Sequence, residues 1–209
     1  MKGKIQFEIY DRFYLMKFNG ITRKYSSAPY NGGIGSAYGY VNMHVENNYN
    51  FDTNEYVKSF LAEYGISKSY TVSMTSADIQ KYQMEKIFIG NYFVQTAITA
   101  GFDNAISIGN KYGKPGTINM CIITDYPLTD SGAMNLYQTC IEAKVQALND
   151  GKVKDLRTDK PAPGTSTDTL SLFIINQDKK YDYAGRLTEI GYATSMLIYD
   201  NILKFIQIP

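Results

Sequence analysis

Two loops of this chain share a Pro-Gly-Thr turn, "KPGTIN" and "APGTSTD", and each delivers hydroxyl, amide or carboxylate side chains to the start of an apolar run. The first presents Gly116, Thr117 and Asn119, the second Thr165 and Asp168. Each turn feeds a run that looks buried, and a glycine in such a loop allows a sharp turn or a close approach to a ligand. A third loop, "TAGFDNAISIG", brings Thr99, Gly101, Asp103 and Asn104 to a strand end, and a fourth, "SSAPYNGGIG", holds Ser26, Ser27, Asn31, Gly32 and Gly33. "NGGIG" lacks the Lys-Ser/Thr of a phosphate loop and the GxGxxG spacing of a dinucleotide site. Taken singly each is a turn; together they suit the edge of a sheet, where ligands commonly bind.

Metal chemistry has little to work with. The chain has one histidine, His44, and two scattered cysteines, Cys121 and Cys140, with no CxxC or HExxH. A protein-built zinc site is therefore not expected. No GxSxG elbow accompanies His44, so a strand histidine that packs or hydrogen-bonds is the simpler reading.

The helix "AMNLYQTCIEAKVQALND" carries a lone carboxylate in its middle. Met134, Tyr137, Ile141, Val145 and Leu148 are spaced as an apolar stripe facing a core. Asn135, Gln138, Glu142, Gln146 and Asn149 follow one residue behind, about 100° further round. Glu142 thus lies on a flank rich in uncharged amides, which suits a solvated face or one that bonds a neutral, amide-rich ligand. Lys144 points about 200° away from Glu142 on an ideal helix and reads as a structural ion-pair partner.

The elements that must position these groups alternate along 209 residues, a length that fits a single domain over 1–209. "KIQFEIY" and "FYLMKF" read as a hairpin, "AYGYVNMHV" and "SYTVSM" as further strands, and "KIFIGNYFVQTAIT" as one long strand bent at Gly90. "DTNEYVKSFLAEYG" is a helix with Asp52 or Thr53 as cap and Gly65 as stop, and the last helix covers most of 184–206. "TINMCIIT" and "TLSLFII" are apolar runs of the kind buried mid-sheet. The fold class expected is α+β, a mixed sheet with helices packed on it, with a three-layer α/β sandwich as the alternative.

Charge is balanced, 21 basic against 20 acidic residues, so no field draws nucleic acid or an anionic membrane. No segment has the length and apolarity of a signal peptide or a membrane span. Two lone thiols fit a reducing compartment, and the expectation is a cytoplasmic protein.

In order along the chain, "SSAPYNGG", "TAGFDNA", "KPGTINMCIITDYPLT", "AMNLYQTCIEAKVQAL", "GTSTD" and "YAGRLTEIGYA" resemble the adenosylcobinamide amidohydrolases, the CbiZ family. The resemblance runs from about Ser26 to Ala193. It implies hydrolysis of the aminopropanol amide of adenosylcobinamide to adenosylcobyric acid and 1-aminopropan-2-ol, a step of corrinoid salvage. The implied partner is a small-molecule corrinoid as substrate, with no further cofactor; a homo-oligomer is left open. Ile141 and Ser166 depart from the family's Thr-Glu-Ala-Lys and Gly-Thr-Gly-Thr-Asp patterns. The matching motifs offer the hydroxyls Ser26, Ser27, Thr99, Thr117 and Thr165 and the carboxylates Asp125, Glu142 and Asp168. Glu142 or Asp168 is the expected general base, for water or a Thr hydroxyl such as Thr165, with Asn104 and Asn119 serving the oxyanion. Asn31 and the glycines 32, 33, 101 and 116 would complete the substrate walls. The competing readings are a corrinoid-binding module without hydrolysis and an amidohydrolase acting on a smaller amide.

Overall fold

The computed structural model describes residues 5–46, 49–111 and 116–207. The described strands are β1 (Gln6–Ile9), β2 (Phe13–Ser26), β3 (Gly33–His44), β4 (Tyr70–Thr75), β5 (Gln83–Ile89), β6 (Tyr92–Ala100), β7 (Ile118–Thr124) and β8 (Thr169–Ile174). Helix α1 (Thr53–Glu63) follows β3, α2 (Asp130–Asp150) lies between β7 and β8, and α3 (Glu189–Gln207) closes the described chain. All eight strands form one mixed sheet, β4-β3-β2-β8-β7-β6-β5, with β1 paired to β2. The β3–β4 and β7–β8 pairs are parallel and the others antiparallel. The chain is α+β, as its pattern of runs predicts.

β2 is the strand that bends the sheet. Its first part pairs with β1 and its last four residues with β8, while β3 runs along both parts with a register slip between Lys17 and Thr22. The consequence is that the two halves of the sheet face each other. Tyr14, Met16, Phe18, Ala37 and Tyr40 from β2 and β3 share one buried cluster with Phe93, Ala97, Cys121, Ile123 and Phe173 from β6, β7 and β8. Strands that are not neighbours in the sheet can meet this way only across its folded face.

Alternation then sends the other side chains outward. Phe13, Leu15, Val41 and Met43 pack under Val57, Phe60 and Leu61 of α1. Ile98, Met120, Ile122, Leu170 and Leu172 pack under Leu136, Cys140, Ala147, Ile198 and Ile202 of α2 and α3. The layering is helix, half-sheet, half-sheet, helix pair.

Two expectations need correction. "KIFIGNYFVQTAIT" is two antiparallel strands rather than one: Ile89 pairs with Tyr92 across a two-residue turn, with Gly90 at φ +58 as such tight hairpins require. The buried face of α2 is not the stripe of large residues. Ala133, Leu136, Cys140, Ala143, Ala147 and Leu148 are buried, whereas Met134 is exposed and Tyr137, Ile141 and Val145 are half-buried. Small residues bring this helix close to the sheet and to α3, so the contact face sits roughly one residue round from the bulky one. The last helix, α3, covers most of 184–206 as expected, starting at Glu189 after Thr188, whose hydroxyl accepts the Gly191 N–H at 3.1 Å.

Asp52 caps α1 by accepting the Glu55 N–H at 2.9 Å, and Gly65 follows its last turn at φ +61, as the sequence leads one to expect. Among the described residues, no helix is long and apolar enough to cross a membrane.

Candidate functional site

The layer between the half-sheets is apolar at one end and polar at the other. At the polar end Asn42, Ser73, Thr99, Asn119 and Thr169 point inward and are buried. Asn42 Nδ2 donates to Thr99 Oγ1 at 2.7 Å, and Asn119 Nδ2 donates to Asn42 Oδ1 at 2.7 Å and to the Met74 carbonyl at 2.9 Å. Asn119 Oδ1 accepts the Thr169 hydroxyl at 2.8 Å and the Thr117 hydroxyl at 3.0 Å, which leaves the Ser73 hydroxyl to donate to Thr169 Oγ1 at 2.8 Å. A buried polar group without a partner costs about 1–3 kcal/mol. Here each side chain satisfies the next, which fixes the rotamers of Asn119 and Thr117.

Asp168 ties the two Pro-Gly-Thr loops together. Its Oδ1 accepts the Thr165 hydroxyl at 2.6 Å and the Ile118 N–H at 2.9 Å, and the Thr165 N–H lies 3.2 Å from both oxygens. Its Oδ2 takes Lys144 Nζ at 2.5 Å, an ion pair whose side chains are only 8% and 14% exposed. The glycines of the two turns leave room for this closeness, and a larger residue would have to displace the side chains around it. A Cβ at Gly164 would lie 2.3 Å from Asp168 Oδ2 and 2.7 Å from Lys144 Nζ; one at Gly116 would lie 1.5 Å from Asn104 Nδ2. Pro115 lies outside the described residues. Further loop bonds run from the Thr167 hydroxyl to the Gly116 carbonyl at 2.6 Å and from the Thr117 hydroxyl to the Thr167 carbonyl at 2.8 Å; the Thr165 hydroxyl also reaches the Gly116 carbonyl.

A cavity of about 480 Å³ opens above this assembly. Ser27 and Pro29 form one wall, Gly116, Thr117, Thr167, Asp168 and Thr169 a second, and Glu46, Tyr49 and Thr53 the rim toward α1. Ser27 Oγ accepts the Leu170 N–H at 3.0 Å, which anchors it to β8.

Of the residues singled out in the sequence, Ser27, Gly116, Thr117 and Asp168 line this cavity. Thr165 stands beside Asp168, and Asn104 packs on Gly116. Asn119 and Thr99 lie behind the wall as fully buried members of the polar network, not as surface for a ligand. Gly101 sits beside the site, its N–H on the Thr117 carbonyl at 3.2 Å. Ser26 is occupied by Ser171 at 2.7 Å.

Other candidates fall elsewhere. Asn31 is turned to Lys24, whose Nζ reaches its side chain at 2.6 Å, and neither Asn31, Gly32 nor Gly33 borders the cavity. Asp125 is at the opposite end of β7, about 26 Å from Thr117 at roughly 3.3 Å per residue. There it accepts the Phe93 N–H at 2.6 Å, a strand-end cap. Glu142 lies on the outer side of α2, in a groove with Gln146, Arg186, Ser195 and Tyr199, and takes Arg186 Nε at 3.3 Å and Gln138 Nε2 at 3.2 Å. The helix turns it away from Asp168 for the same reason that it turns Lys144 inward: the two are separated by about 200°. His44 is half-buried with Nδ1 3.3 Å from the Ala77 carbonyl, a packing role as its strand position implies.

Sequence reasoning missed Asn42, Ser73, Thr167 and Thr169, and missed Asp155. Asp155 accepts from Asn110 Nδ2 at 2.8 Å, from the Ser107 N–H and hydroxyl at 3.0 and 2.8 Å, and from the Arg157 N–H at 2.9 Å. Those bonds, that of Asn110 foremost, hold its carboxyl well below the usual range and pin the Asn104 loop to the segment before Gly164. A buried Asn, Ser or Thr on each of β3, β4, β6, β7 and β8 is the signal that marks the network.

Cys121 and Cys140 are free and buried, and burial pushes both thiols up. Among the described residues no group of three His, Cys, Asp or Glu side chains is placed to hold a metal ion.

Comparison with solved structures finds a Burkholderia sp. beta-aminopeptidase at 11% identity and a TM-score of 0.48, covering 95% of this chain and 80% of that one. A protein from Pyrococcus horikoshii OT3 is similar at 11% identity and a TM-score of 0.47, covering 97% and 78%. Comparison with curated protein sequences finds no match. The family model for adenosylcobinamide amidohydrolase (CbiZ) matches residues 2–207, nearly the whole chain, including every loop that builds the cavity; the chain belongs to this family.

Proposed function

We propose that this protein hydrolyses the aminopropanol amide of adenosylcobinamide in the cavity above Asp168, releasing adenosylcobyric acid and 1-aminopropan-2-ol. The observation that carries this reading is convergence: "SSAPYNGG", "KPGT" and "GTSTD", three motifs of the family resemblance far apart in the chain, supply Ser27, Thr117 and Asp168 to one cavity. In this reading Asp168 is the base. Its Oδ1 already holds the Thr165 hydroxyl at 2.6 Å, and Lys144 on Oδ2 fixes the plane of the carboxylate. Loss of the hydroxyl proton to Asp168 lets Thr165 Oγ1 attack the amide carbon. The amine leaves with a proton, and water then cleaves the ester to the acid. The Asn104 side chain beside Gly116 and the loop N–H groups would face the oxyanion.

A second reading rests on the number of donors that Asp168 accepts. Lys144, Ile118 and two groups of Thr165 take up its lone pairs, which suits an anchor between loops, with a hydroxyl or water at the cavity wall as nucleophile. Thr165→Ser and Thr165→Ala separate the two. A nucleophilic Thr165 predicts activity kept in the serine variant and lost in the alanine variant. Comparable moderate losses in both would favour the anchor. Incubation with adenosylcobinamide in heavy-oxygen water, followed by mass spectrometry, tests the reaction itself. Label should enter the carboxylate of adenosylcobyric acid and not the aminopropanol; absence of both products defeats the proposal.

A further inference from the structure

The cavity is too small for the whole of the proposed substrate. Its volume of about 480 Å³ lies in the lower part of the range for drug-sized ligands, about 300–1,000 Å³. A corrinoid is a broad macrocycle edged with carboxamide arms and exceeds that range. One arm can enter; the ring must rest outside.

Beside the mouth stands an aromatic group that the fold itself does not use up. Phe51 is stacked on Tyr56 with planes 5° apart and centroids at 5.7 Å, and Tyr49 meets both edge-on at 5.8 and 5.1 Å. Phe51 is nevertheless 69% exposed. The group is continuous with the cavity, because Tyr49 and Thr53 belong to its lining and the Tyr49 hydroxyl donates to Thr53 Oγ1 at 3.3 Å. Arg12 Nη2 donates to the Tyr56 hydroxyl at 3.2 Å and steadies the outer ring. Three rings held in place, with one face left open to water at a cavity mouth, form a preorganised apolar ledge. Ordering it costs little when a ligand arrives.

Resting on the function proposed above, we infer that Phe51, backed by Tyr49 and Tyr56, is a specificity ledge that receives the apolar flank of the corrin macrocycle while the amide arm enters the cavity. Arg12 meets the cluster at the Tyr56 hydroxyl, while the exposed Phe51 ring itself offers an uncharged, apolar contact. The ledge acts in binding: the Phe51 ring has no group that can donate or accept a proton, so it takes no part in proton transfer. It selects for substrates with the macrocycle over small amides that carry the same aminopropanol end.

Steady-state kinetics on adenosylcobinamide with wild type, Phe51→Ala and Phe51→Leu test this, with competitive inhibition by dicyanocobinamide as a second readout. An aromatic contact of this kind is worth a few-fold to about tenfold in affinity. Phe51→Ala should raise KM by about tenfold with kcat within twofold, and should weaken inhibition by dicyanocobinamide by the same factor. Phe51→Leu should recover part of both. Unchanged KM and inhibition in Phe51→Ala, with wild type turning over, would overturn the ledge and leave the hydrolase reading intact. A loss confined to adenosylcobinamide would assign the contact to the nucleoside and overturn the macrocycle assignment. A wild type that neither converts nor binds either corrinoid would bring down the function and the ledge together.

Discussion

The Lys144–Asp168 pair is where structure and chemistry can be separated by a thermodynamic cycle. The two side chains are 8% and 14% exposed, so removing one charge strands the other in a poorly hydrated place. Breaking such a pair typically costs about 3–5 kcal/mol. The two single variants should differ. Lys144→Met leaves Asp168 with the Ile118 and Thr165 donors, whereas Asp168→Asn leaves the Lys144 ammonium facing an amide that can turn a donor toward it. Asp168→Asn should therefore sit at the upper end of that range and Lys144→Met at the lower. For a chain of this length about 2–4 °C of Tm accompanies each kcal/mol, which gives falls of roughly 6–20 °C. The double variant buries no unpaired charge and should recover about 1–3 kcal/mol relative to the sum of the singles. Urea unfolding followed by circular dichroism measures all four corners. Strict additivity, or a Lys144→Met variant less stable than Asp168→Asn, would refute the claim that a buried ion pair holds the Asp168 loop to α2.

Glu142→Gln should shift stability by no more than about 0.5 kcal/mol and leave turnover near that of wild type, because the side chain is part-exposed on the outer face of α2 with Arg186; a 100-fold loss in kcat would return this residue to the catalytic account. Gly164→Ala needs no unusual backbone angle, yet its Cβ would meet Asp168 Oδ2 at 2.3 Å, so both Tm and turnover should drop together in a thermal melt and an activity assay. Asp155 supplies a pH signature. Its folded pKa is depressed below the unfolded value of about 3.9, so its stabilisation is complete above roughly pH 4 to 5 and is lost as pH falls further. The stability gap between wild type and Asp155→Asn should thus be widest near neutral pH and shrink on acidification, as read from urea midpoints.

Much of the fold is legible in the sequence because periodicity reports burial. The alternation in "FYLMKF" places Tyr14 and Met16 inward and Phe13 and Leu15 toward α1, as observed. The layer that alternation cannot reveal is the one made by folding the sheet on itself, since a strand buried on both faces looks the same whether a helix or another half-sheet covers it. The pairing of Asn42 with Asn119 and Thr99 depends on that fold and on nothing local to "YVNMHV". The two Pro-Gly-Thr turns, whose glycines and hydroxyls recur together in the sequence, meet at the wall of one cavity. Asn31 and Asp125 looked equally polar and equally placed at loop ends, but Lys24 and the Phe93 N–H claim them. On α2, large apolar residues drew attention to the wrong stripe, while alanines and Cys140 do the packing and turn Lys144 inward.

The rate of aminopropanol release from adenosylcobinamide, compared between wild type and Asp168→Asn with the variant assayed below its own Tm, tests the central claim most directly. Release by wild type, reduced about 100-fold or more in folded Asp168→Asn, is the result expected if the cavity above Asp168 is where the amide is cleaved. Equal rates from the two folded proteins would contradict it.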